Sequence, residues 1–491
     1  MLAEISATSD PGEPVRAGRI PESERIPFRQ KTAFSAGMMM DYASTSLLTA
    51  VLWMPYFNIG LGMAPSTLGG ILMVLMAWNA FLDPVTGNLS DNFRSRWGRR
   101  RPFMVVSALA AGGLFPLFWN MPPGLSGMMQ AGWILGVGLA FYTAYSFWAM
   151  PYYGLQMELT PNYDERTRLT GWMTFLGKIA YLGGGWTLAI FTSALFLNPQ
   201  TGKGDVVLGM KTGGWIIGGV IVVFGLLPAV FVKERFQPSV IARTGKESFW
   251  QSLCESFRCG PLWALIGVSF LLVLGSSSVS ALGQYLNIYY VFQGDLAAAS
   301  VVSGWKVSVL VVSGIALIPM WVWLGERYDK RNVVLGMLVF SMGGHMLNIF
   351  CIRADLPYLQ IVPAVFESAA ISAIWLFLPS MKADIADHDE LTTRRRREGA
   401  INSFYSWFIK AALTCATGLG GMLLEVSGFT AKISHQPREV LDRMFAIFLI
   451  LPVCIWGGAA LIGRLYPLSR RRMAEVRREL ERRRGEPAVN L

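Results

Sequence analysis

WNAFLDPVTG, residues 78–87, carries a single acid, Asp83, inside an apolar run from Ser66 to Ser90. That run is long enough to cross a bilayer core, where an isolated carboxylate is costly and usually marks an ion or substrate pathway. Asp41, Lys178 and Lys410 also lie deep inside apolar runs. At about 1.5 Å of rise per helical residue, Asp41 and Asp83 fall about 12 Å from the cytoplasmic ends of their runs, Lys178 about 14 Å and Lys410 about 15 Å. Four charges at one depth on four helices can exchange a cation and bracket a polar solute, or simply pair to hold helices in register. Pro84 follows Asp83 and cannot donate a backbone hydrogen bond, so the helix can bend beside the acid. Lys306 falls nearer the outer end of its run and can snorkel to the surface, whereas Glu367 and Glu425, also nearer the outer face, read as structural or gating positions.

The elements that must position these charges are apolar segments. Of 491 residues, 53% are hydrophobic and 15% charged, well below the roughly 25% charge of a soluble domain. Twelve segments can be drawn, at approximately 33–58, 66–90, 102–121, 127–157, 169–197, 212–232, 261–292, 299–324, 333–352, 357–381, 400–428 and 442–463. The polar first 33 residues contain no apolar core of a secretory signal, so the amino terminus is expected in the cytoplasm. With that orientation only Lys203, Lys211, Arg353, Lys432, Arg438 and Arg443 fall in outer loops, and the remaining Lys and Arg outside the spans are cytoplasmic. This bias predicts that both termini are cytoplasmic, and it explains the net charge of +11 without nucleic acid.

Other chemistries lack their residues. Five cysteines show no CxxC spacing, and His345, His388 and His435 are scattered with no HExxH, P-loop or GxSxG pattern. Neither an enzyme nor a bound metal or cofactor is expected.

The chain divides after the sixth segment. A polar stretch at 233–260 separates two groups of six, and Phe249, Trp250, Leu253 and Phe257 within it recur at helical spacing, as in an amphipathic connector. PYYGLQMELTPNYDERTRLTG, from Pro151 to Gly171, is echoed by PSMKADIADHDELTTRRRREG, from Pro379 to Gly399. Proline opens both, glycine follows 20 residues later, and the arginines Arg166, Arg168, Arg394 and Arg396 hold the same offsets. SDNFRSRWGRR and GERYDKR form a second echo. Together they predict parallel repeats about an axis along the membrane normal. The predicted fold is thus an all-α polytopic membrane protein of 12 transmembrane helices. It has a tail at 1–32, a first six-helix bundle at 33–232, a linker at 233–260, a second bundle at 261–463 and a basic tail at 464–491. That tail, RRRMAEVRRELERRR, reads as a solvated or headgroup-contacting helix.

GNLSDNFRSRWGRR resembles the loop signature of the major facilitator superfamily. WNAFLDPVTG, PYYGLQMELTPNYDERTRL and ADIADHDELTTRRRREG are similar, more narrowly, to its glycoside-pentoside-hexuronide cation symporters, the melibiose permease group; SRWGRRRPF is also similar to plant-type sucrose carriers. The resemblance implies the major facilitator fold and cation-coupled symport of a sugar or glycoside by a monomer in a cell's inner membrane. It places two acids on span two and one on span four around the cation. Asp83 matches one, Asn79 stands where the second would be, and Ala149 replaces the span-four acid. A sodium ion would then have few carboxylate ligands, whereas a single desolvated acid can still take up and release a proton. A proton is the expected coupling ion; Asn79 still offers an oxygen to sodium.

For substrate, the resemblance implies roles for Asp41, Tyr153, Trp375 and Lys410, residue types that hydrogen-bond hydroxyls and pack flat against a pyranose. Tyr145, Tyr405 and Lys178 complete the expected set. Lys178 can neutralise an acid or receive an acidic substrate. Tyr142, Tyr145, Ala149 and Tyr152 share one face of span four, a stripe that helix packing alone also produces. The missing span-four acid puts a galactoside preference in doubt. Asp91, Arg96, Arg99, Arg100, Arg166, Asp387 and Arg394, with the Glu326, Arg327, Asp329 and Arg331 cluster, read as a cytoplasmic gate whose pairs break on inward opening. The rival functions are a carrier of lysophospholipid or another amphiphile, coupled to sodium or uncoupled, and a non-transporting sensor on the same fold.

Overall fold

The computed structural model describes residues 25–160, 163–199, 202, 204–234, 257–393, 398–430, 433 and 435–484. Among them the chain is helical nearly throughout, and an isolated bridge between Leu197 and Gly204 is its one β contact. Apolar runs of this length can satisfy their backbone groups in lipid only as helices. The first bundle comprises α1 (Phe28–Tyr42), α2 (Pro65–Asn92), α3 (Arg101–Trp119), α4 (Gly127–Glu158), α5 (Tyr163–Phe191) and α6 (Val206–Phe231). The second comprises α7 (Gly260–Tyr285), α8 (Leu296–Ala316), α9 (Ile318–Arg327), α10 (Lys330–Met346), α11 (Val362–Ser372), α12 (Leu378–Thr393), α13 (Glu398–Val426) and α14 (Arg438–Arg464). A last helix, α15 (Arg470–Arg484), follows.

The first helices of both bundles widen in the same way. α1 passes into π-helical turns at Ala43–Leu52 and Pro55–Gly60, and α7 into one at Leu286–Val291. A fourth π-helical stretch, Ala373–Phe377, joins α11 to α12. Such turns commonly mark functional positions, because each trades regular hydrogen bonding for a displaced side chain. Among the described residues, ten helical segments are long and apolar enough to cross a membrane. The expected spans one and five fall outside that set: α1 is split and carries Arg29, Lys31 and Asp41, while α5 mixes Lys178 with glycines, threonines and aromatic residues.

Each bundle has its own apolar core. Phe34, Trp53, Phe57, Phe115, Trp119, Trp148 and Tyr152 are fully buried in the first, and Leu272, Tyr285, Met337, Phe448 and Trp456 in the second. The terminal helix belongs to the second core. Met473, Val476 and Leu480 bury one face of α15, Arg470 N donates to Asp329 at 2.8 Å and the Arg483 guanidinium to the Leu391 carbonyl at 3.1 Å, while Arg471, Arg472 and Arg478 stay exposed. The basic tail is therefore a docked amphipathic helix.

The turn between α2 and α3 depends on one glycine. Gly98 has φ +109°, and the Glu234 carboxylate beyond α6 accepts from Arg99 N and Arg100 N at 2.8 Å and Arg101 N at 3.0 Å, capping the free amides at the start of α3. A Cβ on Gly98 would stand 2.6 Å from that carboxyl. Gly98→Ala is expected to cost at least ~1–2 kcal/mol from the left-handed backbone alone and to disturb the cap. A lowered midpoint in thermal unfolding of the purified protein would show it; an unchanged midpoint would mean the turn relaxes freely.

The bundles meet through α2 with α13 and α5 with α8. These contacts cluster at the end the Lys and Arg bias predicts to face outward, the outer end. Cβ atoms built on Gly69 and Gly421 would press into the opposing backbone, 3.2 Å from the Gly418 carbonyl oxygen and 2.3 Å from that of Pro65. Trp186 packs edge-on against Trp305, 5.4 Å between ring centres, and its Nε1 donates to Ser308 Oγ at 3.0 Å. Tyr285 donates to Asn58 Oδ1 at 2.6 Å. The outer end is closed.

Candidate functional site

Midway along the bundle interface, side chains from α1, α2, α4 and α13 form one polar network. Asp41 ends the regular part of α1, and Thr45 and Thr49 return their hydroxyls to the carbonyls of Asp41 and Thr45 at 2.7 and 3.0 Å, supporting the widened turns beyond it. Tyr145 donates to Asp41 Oδ1 at 2.7 Å, and the Tyr153 hydroxyl, two turns along α4, lies close to the same carboxylate. Lys410 of α13 forms an ion pair with Asp83 of α2, and its charge also reaches Asp41. Ser146 completes the set by donating to Asp83 Oδ1 at 3.3 Å. α2 runs unbroken through Pro84, and the Thr86 hydroxyl donates to the Asp83 carbonyl at 3.1 Å.

The charge of this network is unbalanced. Asp41 and Asp83 bring two carboxylates and Lys410 one ammonium, so an ionised network carries one net negative charge midway through the span layer. The Asp83 side chain is 10% exposed and that of Lys410 36%. Uptake of one proton or monovalent cation neutralises it, and the Asp83–Lys410 pair, made across the bundle interface, is the contact that must change when the bundles move.

Other expected site residues stand differently. Asn79, one turn before Asp83, is partly buried and takes no hydrogen bond among the described residues. Trp375 lies in the π-helical turn Ala373–Phe377, 78% exposed. Tyr405 is buried within the second bundle, sharing a 2.8 Å hydrogen bond with Ser269 while the Lys382 ammonium sits 5.0 Å over its ring. Lys178 is partly buried and has no ion pair among the described residues; one turn on, Tyr181 packs edge-on against Tyr42 of α1, and two turns on, Gly185 meets Val307 of α8. The tyrosine stripe of α4 splits by role: Tyr145 reaches Asp41, whereas Tyr152 stacks between Phe34 and Trp148 and donates to the Phe34 carbonyl at 2.9 Å.

At the inner end, the described ion pairs stay within a bundle. Arg99 and Arg100 both meet Glu158, Arg100 at 3.0 Å, and Lys330 meets Asp384 at 2.6 Å. Arg166 donates to the Thr160 carbonyl at 2.8 Å, Arg96 is exposed and Asp387 lies partly buried near the end of α12. Arg394, Arg396 and the Asp91 side chain lie outside the described residues, as does most of the 233–260 connector.

Two features carry no clear signal in the sequence. Ser146 is an ordinary helix serine whose value comes from facing Asp83 across α2 and α4. Lys306 does not snorkel: its ammonium lies 3.6 Å from Glu367, which also meets the buried His345 at 3.2 Å.

Residues 33–470 match the family described as MFS/sugar transport protein. Among curated proteins, the chain is 26% identical to the putative sulfoquinovose importer of Salmonella typhimurium, covering 94% of each chain. It is 23% identical to the sodium-dependent lysophosphatidylcholine symporter 1 of Gallus gallus, covering 84% of this chain and 81% of that one. Among solved structures, a bacterial homologue of the human lysosomal transporter Spinster, inward-facing and unoccupied, superposes with a TM-score of 0.62 at 11% identity, over 90% of this chain and 99% of that one.

Proposed function

Since the chain belongs to the MFS/sugar transport family, an integral multi-pass membrane carrier, we propose that it is a proton-coupled symporter of a sugar or glycoside in a cell's inner membrane. The observation that carries this reading is the network of Asp41, Asp83 and Lys410, short of one positive charge and built across the two bundles. Asp83 takes the proton and releases Lys410, while Asp41, Tyr145 and Tyr153 offer acceptor and donor groups to sugar hydroxyls. The substrate class agrees with the sulfoquinovose importer among its relatives. Protonation of Asp83 permits the bundles to pivot with the sugar between them; an ionised, unpaired Asp83 would not cross the dry layer. Sodium remains the rival ion through Asn79, and an amphiphile the rival substrate through the lysophosphatidylcholine symporter.

The test is external pH in a lightly buffered suspension of cells expressing the protein, as disaccharides, monosaccharides, hexuronides and a lysophospholipid are added with and without sodium. Alkalinisation that depends on a sugar and needs no sodium is the expected result. Uptake of labelled sugar that requires sodium overturns the coupling ion, and uptake of lysophospholipid alone overturns the substrate.

A further inference from the structure

His345 of α10 and Glu367 of α11 are buried together in the second bundle, away from the Asp41 and Asp83 network. His345 Nε2 lies 2.9 Å from the backbone carbonyl of Phe448 on α14. A carbonyl oxygen only accepts, so Nε2 carries a hydrogen. In a neutral ring Nδ1 would then present a lone pair, yet it lies 3.2 Å from Glu367 Oε1. Two acceptors facing each other in direct contact at 3.2 Å are repulsive, so this arrangement holds one proton between them, on the imidazole or on the carboxyl. Asn348 donates to the His345 carbonyl at 2.8 Å and its amide also reaches Glu367 and, at 3.4 Å, Nδ1, a longer contact than the 3.2 Å between Nδ1 and Oε1; the Trp456 ring lies edge-on to His345. The charged or titratable groups that face Glu367 among the described residues are His345 of α10, Lys306 of α8 and Tyr181 of α5.

We infer that His345 and Glu367 form a second proton-binding site, separate from Asp83, and that its proton holds the outer end closed. The link is α8. Lys306, 3.6 Å from Glu367 Oε2, sits between Trp305 and Val307, and Gly304, Trp305, Val307 and Ser308 are the residues that seat against Trp186 and Gly185 of α5. Loss of the proton sets Nδ1 and Oε1 against each other; Glu367 moves off His345 and draws Lys306 with it, and the turn of α8 that closes on α5 shifts. Proton binding and outer closure are thus two readings of one cluster.

The test needs no substrate. Spin labels at Leu195→Cys and Tyr358→Cys, both exposed in outer-end turns, report the spacing of the two bundles in reconstituted protein lacking its native cysteines. The pH is stepped from about 5 to about 9. In the otherwise unaltered protein the spacing is expected to widen as pH rises. Glu367→Gln, whose amide donates to Nδ1 without titrating, is expected to stay closed at every pH; His345→Asn, the second variant should the first fail to fold, is expected to lose the pH response. Asp83→Asn is expected to keep it. A spacing that ignores pH, a response that survives Glu367→Gln or His345→Asn, or one that vanishes in Asp83→Asn would each overturn the site. Because no sugar is added, failure here leaves the symport reading standing, and failure of symport leaves this site testable.

Discussion

Asp83→Asn is expected to abolish substrate-dependent proton uptake, so that labelled sugar equilibrates across the membrane but is no longer concentrated. Asparagine keeps the size of the side chain and can accept from Lys410 and Ser146, so the interface stays assembled, yet it cannot carry a proton. The network changes from a net charge of −1 to zero for good, the state that Asp83 otherwise reaches only when protonated. The variant therefore changes conformation without binding a proton at position 83, and sugar movement is no longer tied to the proton gradient. Exchange of labelled for unlabelled sugar should persist at near the normal rate while accumulation disappears. That split separates a coupling residue from a structural one.

The structural alternative makes a different prediction. Removing one member of a fully buried pair costs about 3–5 kcal/mol, because the partner charge is left alone. With the Lys410 side chain 36% exposed, solvent screens much of that, and the loss should fall well below this range. Were the pair only a clamp, Asp83→Asn would lower the amount of folded carrier, and adding Lys410→Met would restore both folding and accumulation. On the coupling reading the double variant regains stability but never accumulation. A double variant that concentrates sugar against a gradient would end the case for Asp83.

Some of this arrangement is legible in the chain. Depth along a helix is a simple count, so Asp41, Asp83 and Lys410 can be assigned to one layer before any contact is known, and there Lys410 pairs with Asp83 and lies within electrostatic reach of Asp41. Direction around the helix is harder to count. Trp375 and the end of α1 lie in or beside π-helical turns, which shift the angular register of later residues and arise from tertiary packing, not from periodicity. Tyr405 suits a sugar site by type, and what assigns it to the second bundle is Ser269, which is 136 residues away. Lys306 shows the same limit. Snorkelling is the right default for a lysine near a span's end, but a carboxylate on a neighbouring helix, once buried, outcompetes the surface.

Gly421→Ala is expected to impair transport strongly without touching any charged or polar group of the network. The outer closure of α2 on α13 is made by backbone against backbone: a Cβ at Gly421 would lie 2.3 Å from the Pro65 carbonyl oxygen and 3.2 Å from the Gly69 Cα. No rotamer change relieves an overlap with backbone, so the helices must separate there. Overpacking of this kind costs typically ~1–3 kcal/mol, and since the clash exists only when the outer end is closed, the cost falls on that state alone. It corresponds to a shift of about 5–150-fold toward the outward-open form, and uptake should fall in proportion as the carrier fails to close over its substrate. Gly70→Ala is the control, because a Cβ there meets nothing within 4 Å. Labels at Leu195→Cys and Tyr358→Cys should report a wider outer spacing in Gly421→Ala and an unchanged one in Gly70→Ala. If Gly421→Ala kept both normal uptake and the closed spacing, the α2–α13 contact would be incidental, and closure would have to rest on α5 and α8.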